Sequence, residues 1–331
     1  MNKNILVTGG AGYIGSHTII ELIKTGYQPI IIDNLSNSKK CVVSRLEQIC
    51  QQKIPFYNIN CANKQDILNK AIWQNIKGVI HFAAHKSVEE SVRYPEKYFL
   101  NNVGGTELIL QAMQHYEIEN LVFSSSCTVY GEPDKLPVTE KERIKNPTSP
   151  YASTKQKCEE IIQKSNLKKY AILRYFNPIG AHKSGLIGEL SNSKPNNLVP
   201  LISKSIRNNN TLNVFGNDYN TPDGTCIRDY IHVCDVAKAH VKVLDKLITQ
   251  NTRKYILNIG LSKGISVLEL IQLFEKVNNL KINYKIGKRR DGDIEKIYAN
   301  CKLAEKELGW APEKSIKEAL KDAWNWEKNL A

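Results

Sequence analysis

Near the start of the chain three apolar residues, Ile5-Leu6-Val7, run straight into Thr8-Gly9-Gly10-Ala11-Gly12-Tyr13-Ile14-Gly15, and an apolar stretch of helical character follows from Thr18 to Ile23. Gly10, Gly12 and Gly15 fit the pattern G-x-G-x-x-G, with Gly9 one position earlier. Glycine is required there for a tight strand-to-helix turn and for a backbone bare enough to admit a pyrophosphate. The phosphates then meet free N–H groups at the positive end of a helix dipole. A glycine turn alone is a weak signal. Here Asp33 closes a second apolar run, Ile30-Ile31-Ile32, at about the ~20-residue interval expected for the acidic partner of the motif. A carboxylate at that strand end accepts from both adenosine ribose hydroxyls and repels a 2′-phosphate. The pattern therefore predicts a dinucleotide cofactor, NAD rather than NADP.

The chain has 331 residues, room for one large domain or two smaller ones at ~150 residues each. Its 41% apolar content suffices for a packed core. No apolar run approaches the ~18 residues of a membrane span, and no charged-then-apolar leader precedes Ile5, so no membrane partner is expected. The eight cysteines contain no C-x-x-C pair and no metal spacing with histidine, so no metal site is expected. Scattered thiols in a chain of this size predict a reduced, cytoplasmic setting. The net charge of +13 is spread along the chain and interleaved with Glu, Asp and Asn, which argues against a nucleic-acid partner. A local excess such as Lys288-Arg289-Arg290 suits a small anionic substrate instead.

Strand-like runs alternate with helix-length segments through the first half: Ile5-Leu6-Val7, Ile30-Ile31-Ile32, Phe56 to Ile59, Val79 to Phe82, Leu121-Val122-Phe123 and Ala171-Ile172-Leu173. Alternation of this kind predicts βαβ units. It breaks after Phe176-Asn177-Pro178, where the chain turns loop-rich, and strand-like runs return at Tyr230 to Val233 and Ile256 to Ile259. The expected fold class is α/β: a doubly wound parallel-sheet (Rossmann) NAD domain with a smaller α/β substrate domain. The expected boundaries are 1–176 for the cofactor domain, with later returns near 229–260, and 177–331 mainly for the substrate domain.

Tyr151-Ala152-Ser153-Thr154-Lys155 has the spacing Y-x-x-x-K, behind a helix start at Ser149-Pro150. Residues four apart share a helix face, so phenol and ammonium lie side by side. A cation beside a phenol favours phenolate and lowers its pKa from ~10 toward the working pH, where it acts as a general base. Taken alone, a surface Tyr–Lys pair is the commoner meaning. Behind an NAD motif, with Ser124-Ser125-Ser126 closing a strand-like run upstream, the catalytic meaning prevails.

On these motifs the chain resembles the extended short-chain dehydrogenase/reductases and, within them, the UDP-glucose 4-epimerase family. The resemblance covers nearly the whole length. It includes Asp33 to Ser38, His81 to Val88, Ser124 to Gly131, Arg174 to His182, Pro195 to Leu198, Phe215 to Tyr219, Gly224 to His232 and Arg289 to Asp293. It implies that Tyr151 takes the proton of the sugar 4-hydroxyl while hydride leaves C4 for NAD. The 4-keto sugar then turns over and takes the hydride back on its other face. Ser126 and Thr128 are placed at that oxygen, and Lys155 at the nicotinamide ribose. On the cofactor side the resemblance assigns Gly9, Gly12, Tyr13, Ile14, Gly15, Asp33, Asn34, Leu35, Ser36, Asn37 and Ser38. To these it adds Cys61, Phe82, Ala83, Ala84, His85, Lys86, Asn101 and Phe176, besides Ser126, Tyr151 and Lys155. Asn60 stands where the family carries an Asp that reaches the adenine amino group; an amide oxygen can accept that bond too.

For the UDP-sugar substrate the resemblance assigns Ser126, Tyr151, Asn177, Asn197, Leu198, Asn213, Val214, Phe215, Arg228, Arg290, Asp291, Gly292, Asp293 and Ile297. Two arginines suit a diphosphate. The residue pair Arg228-Asp229 has a structural salt bridge as its plainer meaning. Phe176 and Phe215 have core packing as theirs, and Asn177 and Asn197 turn or cap roles. The resemblance also implies a homodimer through helices near residues 92–116 and 151–165. A 4,6-dehydratase on this scaffold needs an Asp-Glu pair where this chain has Cys127-Thr128, so that chemistry is not expected. A UDP-N-acetylglucosamine 4-epimerase and a non-catalytic NAD-bound sensor remain as alternatives. Sensors typically lose the Tyr or the Lys, and both are present. Ile297, shorter than the Tyr of hexose-restricted members, predicts room for an N-acetyl group.

Overall fold

The computed structural model of the chain describes residues 3–190, 197–250, 253–290 and 292–330. Its strands are β1 (Asn4–Thr8), β2 (Gln28–Ile32), β3 (Phe56–Tyr57), β4 (Ile76–His81), β5 (Asn120–Ser126), β6 (Lys169–Tyr175), β7 (Asn177–Ile179), β8 (Leu212–Phe215), β9 (Ile227–His232), β10 (Arg253–Ile259), β11 (Gly264–Ser266), β12 (Tyr284–Gly287) and β13 (Lys296–Ile297). The longer helices are α1 (Tyr13–Lys24), α2 (Cys41–Cys50), α3 (Gly105–His115), α4 (Pro150–Lys164), α5 (Leu198–Arg207), α6 (Val233–Thr249), α7 (Val267–Asn278) and α8 (Ile316–Lys328).

Seven strands form one sheet in the order β10-β6-β5-β4-β1-β2-β3, every neighbouring pair parallel. Parallel strands need crossover connections, so helices cover both faces. Side chains alternate between the two cores accordingly. Ile5, Val7, Ile31, Ile80 and Val122 join α1, α2 and α6 on one face. Leu6, Ile32, Val79, Leu121 and Phe123 join α3 and α4 on the other. Burial on both faces is why these strands read as continuous apolar runs.

The strand order reverses between β1 and β4, and open α/β sheets bind ligands outside the carboxyl ends of the strands at such a switch point. The expected run from Phe56 to Ile59 is strand only over Phe56–Tyr57. Asn60 folds the chain into a turn instead, its side chain accepting from Ala62 N at 3.0 Å and its carbonyl from Asn63 N at 2.9 Å.

A smaller second sheet has β11, β9 and β13 side by side, with β7 also pairing β9. β8 and β12 pair separately. These elements share a third core of Ile179, Val199, Leu212, Tyr230, Leu270 and Leu320. The chain crosses between the two parts more than once: β10 returns to the large sheet after β9 has built the small one.

The helix that carries the Tyr–Lys pair is fixed twice. Ser149 caps α4 by accepting from Ala152 N at 3.2 Å, with Pro150 in the first turn, where a missing N–H costs nothing. Further along, Glu159 meets Arg174 of β6 in a buried ion pair (2.5 Å), the two side chains 1% and 3% exposed. Ser125 Oγ donates to Glu159 at 2.5 Å and Arg174 Nη1 to Tyr130 Oη at 3.1 Å, so the network is satisfied by hydrogen bonds as a buried pair requires.

Candidate active site

A cleft opens at the carboxyl end of the parallel sheet. Of the residues expected at the cofactor, all but Leu35, Ser126 and Phe176 line it. Leu35 takes a left-handed backbone (φ 58°) and packs into the α1/α2 core. Phe176 is buried in that core as well, so its side chain serves packing, the plainer of its two expected meanings.

The glycines are held by the fold as much as by any ligand. A Cβ on Gly15 would lie 2.3 Å from Gly9 O, and one on Gly9, whose φ is +67°, would lie 2.8 Å from Ala83 N. α1 begins at Gly12 with no side chain capping its first N–H groups, which leaves donors and a positive dipole end for an anion. Asp33 turns its carboxylate into the mouth of this loop: Oδ2 accepts from Ala11 N at 3.1 Å and Oδ1 from Leu35 N at 2.8 Å. Burial pushes its pKa up, while the bonds from Leu35, Ala11 and Ser38 pull it back. An uncapped helix start, a glycine cradle that a side chain would fill, and an acid at the strand end fit a dinucleotide with free ribose hydroxyls.

A short π-helical segment, Phe99–Gly104, sets Asn101 into the cleft. It is anchored by its neighbour: Asn102 accepts from His85 N at 2.8 Å and donates to Thr154 Oγ1 of α4 at 3.1 Å. Asn60 also lines the cleft, yet its side-chain oxygen is already engaged by Ala62 N, so an adenine bond there would be a second one on the same atom.

Tyr151 and Lys155 reach the inner end of the cleft from α4. Their electrostatics correct one expectation. The phenol is not lowered: burial raises Tyr151 above its ordinary value, with nearby Tyr175 adding to the rise and the hydrogen bond with Ser126 opposing it. Lys155 is itself buried, which depresses its ammonium to about 8. Its Nζ donates to the Ser124 carbonyl at 2.7 Å. Burial is the dominant cause for both groups, and Lys155 is not among the groups that shift Tyr151. Ser126 caps the turn Cys127–Tyr130 by accepting from Thr128 N at 3.3 Å. The Thr128 hydroxyl and the Asn177 side-chain oxygen are buried with no hydrogen-bond partner among the described residues. Orphaned polar atoms of this kind call for a ligand or water.

The expected substrate residues form a second group on the small sheet. Arg290 stacks over the Phe215 ring (5.6 Å to the centroid) and donates to Asp293 at 2.7 Å, while Arg228 approaches the same carboxylate at 3.6 Å. Arg228 is thus not paired with Asp229. Phe215 is 37% exposed and so does not take the core role that was its plainer meaning. Along β8 alternation sends Val214 into the core and leaves Asn213 half-buried on the other face. Leu198 packs against that same core, and Asn197 donates to Glu189 at 2.8 Å. Gly292 has φ +79°, and Asp291 lies outside the described residues. Ile297 is 2% exposed on β13, its backbone in register with Arg228.

Sequence reasoning did not single out Ser124, Tyr175 or Glu189, which also line the cleft. Tyr175 hydrogen-bonds the Ser124 hydroxyl. Glu189 receives Lys86 Nζ at 2.5 Å as well as Asn197, so it stands between an expected cofactor residue and an expected substrate residue. The serine run pointed toward Ser124; nothing local marks Glu189. Among the described residues no helix is long and apolar enough to cross a membrane, and no group of His, Cys, Asp or Glu is arranged to hold a metal ion.

A doubly wound sheet, a glycine-rich dinucleotide turn and a Tyr–Lys helix define a nicotinamide-dependent class of enzyme, and the comparisons narrow it. The model of the NAD dependent epimerase/dehydratase family matches residues 5–260, and the chain belongs to that family. It is 46% identical to the UDP-glucose 4-epimerase of Haemophilus influenzae, over 98% of this chain and 97% of the relative. The UDP-glucose 4-epimerase of Bifidobacterium longum, solved in complex with NAD+ and UDP, superposes with a TM-score of 0.94 at 41% identity, covering 98% of each chain. The UDP-Glc/GlcNAc 4-epimerase of Campylobacter jejuni superposes with a TM-score of 0.83 at 31% identity, covering 99% of each chain.

Proposed function

We propose that this chain is an NAD-dependent isomerase that interconverts UDP-glucose and UDP-galactose at C4. The observation that carries the reading is the meeting, in one cleft, of Tyr151 and Lys155 with the dinucleotide cradle, Ser126 standing behind Tyr151 as its hydrogen-bond partner. The arginine cluster of the small sheet suits a diphosphate. The resemblance to named UDP-glucose 4-epimerases over nearly the whole chain supports it.

The residues that would hold NAD are those of the Gly9–Gly15 turn, Asp33 and the segment Phe82 to Lys86. Bound there, NAD supplies a two-way hydride carrier at the sugar C4. Tyr151 Oη accepts the proton of the 4-hydroxyl and returns it after the sugar has turned. Ser126 holds that oxygen by a hydrogen bond, and the Thr128 and Asn177 atoms left without partners are satisfied by the sugar and its diphosphate. Because burial raises Tyr151, the phenolate that accepts this proton would need positive charge beside it, which Lys155 and the oxidised nicotinamide would supply. Arg228 and Arg290 clamp the diphosphate while Phe215 and Asp293 flank the uridine. The cofactor unit is residues 1–176 with α6 and β10 returning to it, while residues 229–232 of the expected 229–260 return stay in β9 of the small sheet. Residues 177–331 are otherwise mainly the UDP-sugar side, a division supported by β10 joining the large sheet and β7 the small one.

The active form is a homodimer. Val92, Tyr94 and Leu100 are 63%, 58% and 71% exposed on one stretch beside α4, an apolar surface unusual for a free monomer. The cellular setting is the cytoplasm, where all eight thiols stay free. Isoleucine at position 297, shorter than the Tyr expected of hexose-restricted members, supports UDP-N-acetylhexosamines as a secondary substrate class.

The experiment that tests the main reading is conversion of UDP-galactose to UDP-glucose by the purified protein with no cofactor added. Turnover with NAD carried through purification is expected, because the reaction has no net redox change. A protein that holds NAD yet turns over neither sugar would be the sensor.

A further inference from the structure

Asp229 follows Arg228 in β9 and is completely buried. Its carboxylate faces three backbone N–H groups: Oδ1 accepts from Leu261 at 2.7 Å, and Oδ2 from Ser262 and from Ala299, both at 3.0 Å. Leu261 and Ser262 follow β10, an edge strand of the large sheet, after Gly260, and Ala299 lies two residues beyond β13. Ser262 sits in the left-handed region, with φ 58°, a conformation that persists only where surrounding bonds enforce it. Ser262 Oγ in turn accepts from Cys301 N at 3.2 Å. One carboxylate therefore ties the end of the cofactor sheet, β9 and β13 into a single joint.

The joint sits beneath the arginine cluster. Arg228 pairs in register with Ile297 of β13 on one side and with Ile265 of β11 on the other. No cation pairs with Asp229 among the described residues, since Arg228 turns to Asp293. We propose that Asp229 is a positioning residue for UDP-sugar binding, its carboxylate holding Arg228 and the Ile297 strand in the register that forms the diphosphate grip. Burial holds the carboxyl up at about 6, below neutral pH, so the ionised form prevails and both its oxygens face backbone donors. An amide cannot substitute: its NH2 would point at backbone N–H groups. The proposal rests on the reading that Arg228 contacts the diphosphate.

UDP binding by calorimetry to the NAD-loaded enzyme, with steady-state kinetics, tests it. Asp229→Asn is expected to weaken UDP and raise the KM for UDP-galactose by about tenfold, with kcat within about threefold and bound NAD unchanged. Arg228→Ala is expected to weaken UDP as well, and in that background Asp229→Asn should add less than about twofold, because both act through one contact. A folded Asp229→Asn enzyme with unaltered UDP affinity, or a fully additive double variant, overturns the positioning role while Arg228 keeps its own. Unaltered affinity in Arg228→Ala overturns the reading beneath it instead. Loss of NAD and kcat together with UDP affinity makes Asp229 merely structural. Should Asp229→Asn not fold, Gly260→Ala strains the same joint, its Cβ arriving 2.5 Å from Asp229 Oδ2. The same UDP defect is expected there, and its absence in a folded variant counts against the proposal.

Discussion

Lys155 donates to the main-chain oxygen of Ser124 at 2.7 Å, and this bond joins the catalytic helix to the end of β5. The Ser124 hydroxyl is meanwhile bound by Tyr175 at the end of β6. The ammonium is thus oriented before any ligand arrives, and the cost of burying it appears as the fall of its pKa to about 8. What α4 provides is position first and electrostatics second.

Tyr151→Phe should lower epimerisation by about 10²- to 10⁴-fold, the range for a lost general acid–base group. The fold and bound NAD should survive, since the ring stays and only the Oη bond with Ser126 is lost. Near-normal turnover would remove Tyr151 from the chemistry.

Lys155 gives a pH-dependent stability with a definite sign. Its folded pKa, about 8, lies below the ordinary 10.5 because burial disfavours the charge. Between these values the unfolded chain holds a proton that the folded chain lacks, so this group's contribution to stability rises with pH across that window. Below it both states are charged and the full penalty applies. In apoprotein denaturation, wild type should therefore gain relative to Lys155→Met between about pH 7 and about pH 10. A constant difference would show that the ammonium is solvated.

Glu159→Gln should cost about 3–5 kcal/mol, because it leaves Arg174 charged and buried without its counterion. Chemical denaturation measures this directly. Since Glu159 is one helical turn beyond Lys155, turnover should fall even under conditions where the variant remains folded. A loss below about 1 kcal/mol would mean that water replaces the carboxylate.

Much of this was legible in the sequence, and the reasons differ by residue. β1 and β2 were readable because burial on both faces turns a parallel strand into an unbroken apolar run that ends in its own functional residue, glycine or Asp33. The α4 start was readable because Ser149-Pro150 is local capping chemistry. Glu189 was not, since it lies on a loop without periodicity and meets Lys86 across 103 residues of chain. Asp229 was read as a possible partner of Arg228, the neighbour in sequence; its true partners are backbone groups some 32 to 70 residues away. The Tyr151 pKa was misjudged because spacing reports the nearby cation but not the depth of burial.

Asp33→Ala should narrow the preference for NAD over NADP, measured by calorimetry on apoprotein, by removing the repulsion of a 2′-phosphate and the bonds to the ribose. Some loss of NAD affinity should follow from the loop itself, because Ala11 N and Leu35 N lose their shared acceptor. An unchanged preference would place the discrimination elsewhere in the Asn34–Ser38 segment.

Ile297 carries the prediction on substrate breadth. It sits on β13 in register with Arg228, so the strand that presents it is the strand beside the expected diphosphate grip. Its side chain is 2% exposed and packs in the core shared by Val129, Tyr130 and Ala299, which fixes its reach. Isoleucine is shorter than tyrosine by most of a ring, so UDP-N-acetylglucosamine and UDP-N-acetylgalactosamine should be interconverted at a measurable rate beside the hexose pair. Ile297→Tyr cannot keep the larger ring in that packed core without strain, which directs it toward the open side. The N-acetyl reaction should then fall selectively, while UDP-glucose turnover and UDP affinity change little, since exclusion is steric and a single group is worth about 1–3 kcal/mol of discrimination. Equal loss on both sugar pairs would mean that the ring has disturbed β13. Wild-type enzyme inert toward saturating N-acetylated substrate would mean that Ile297 is a core aliphatic with no part in selection.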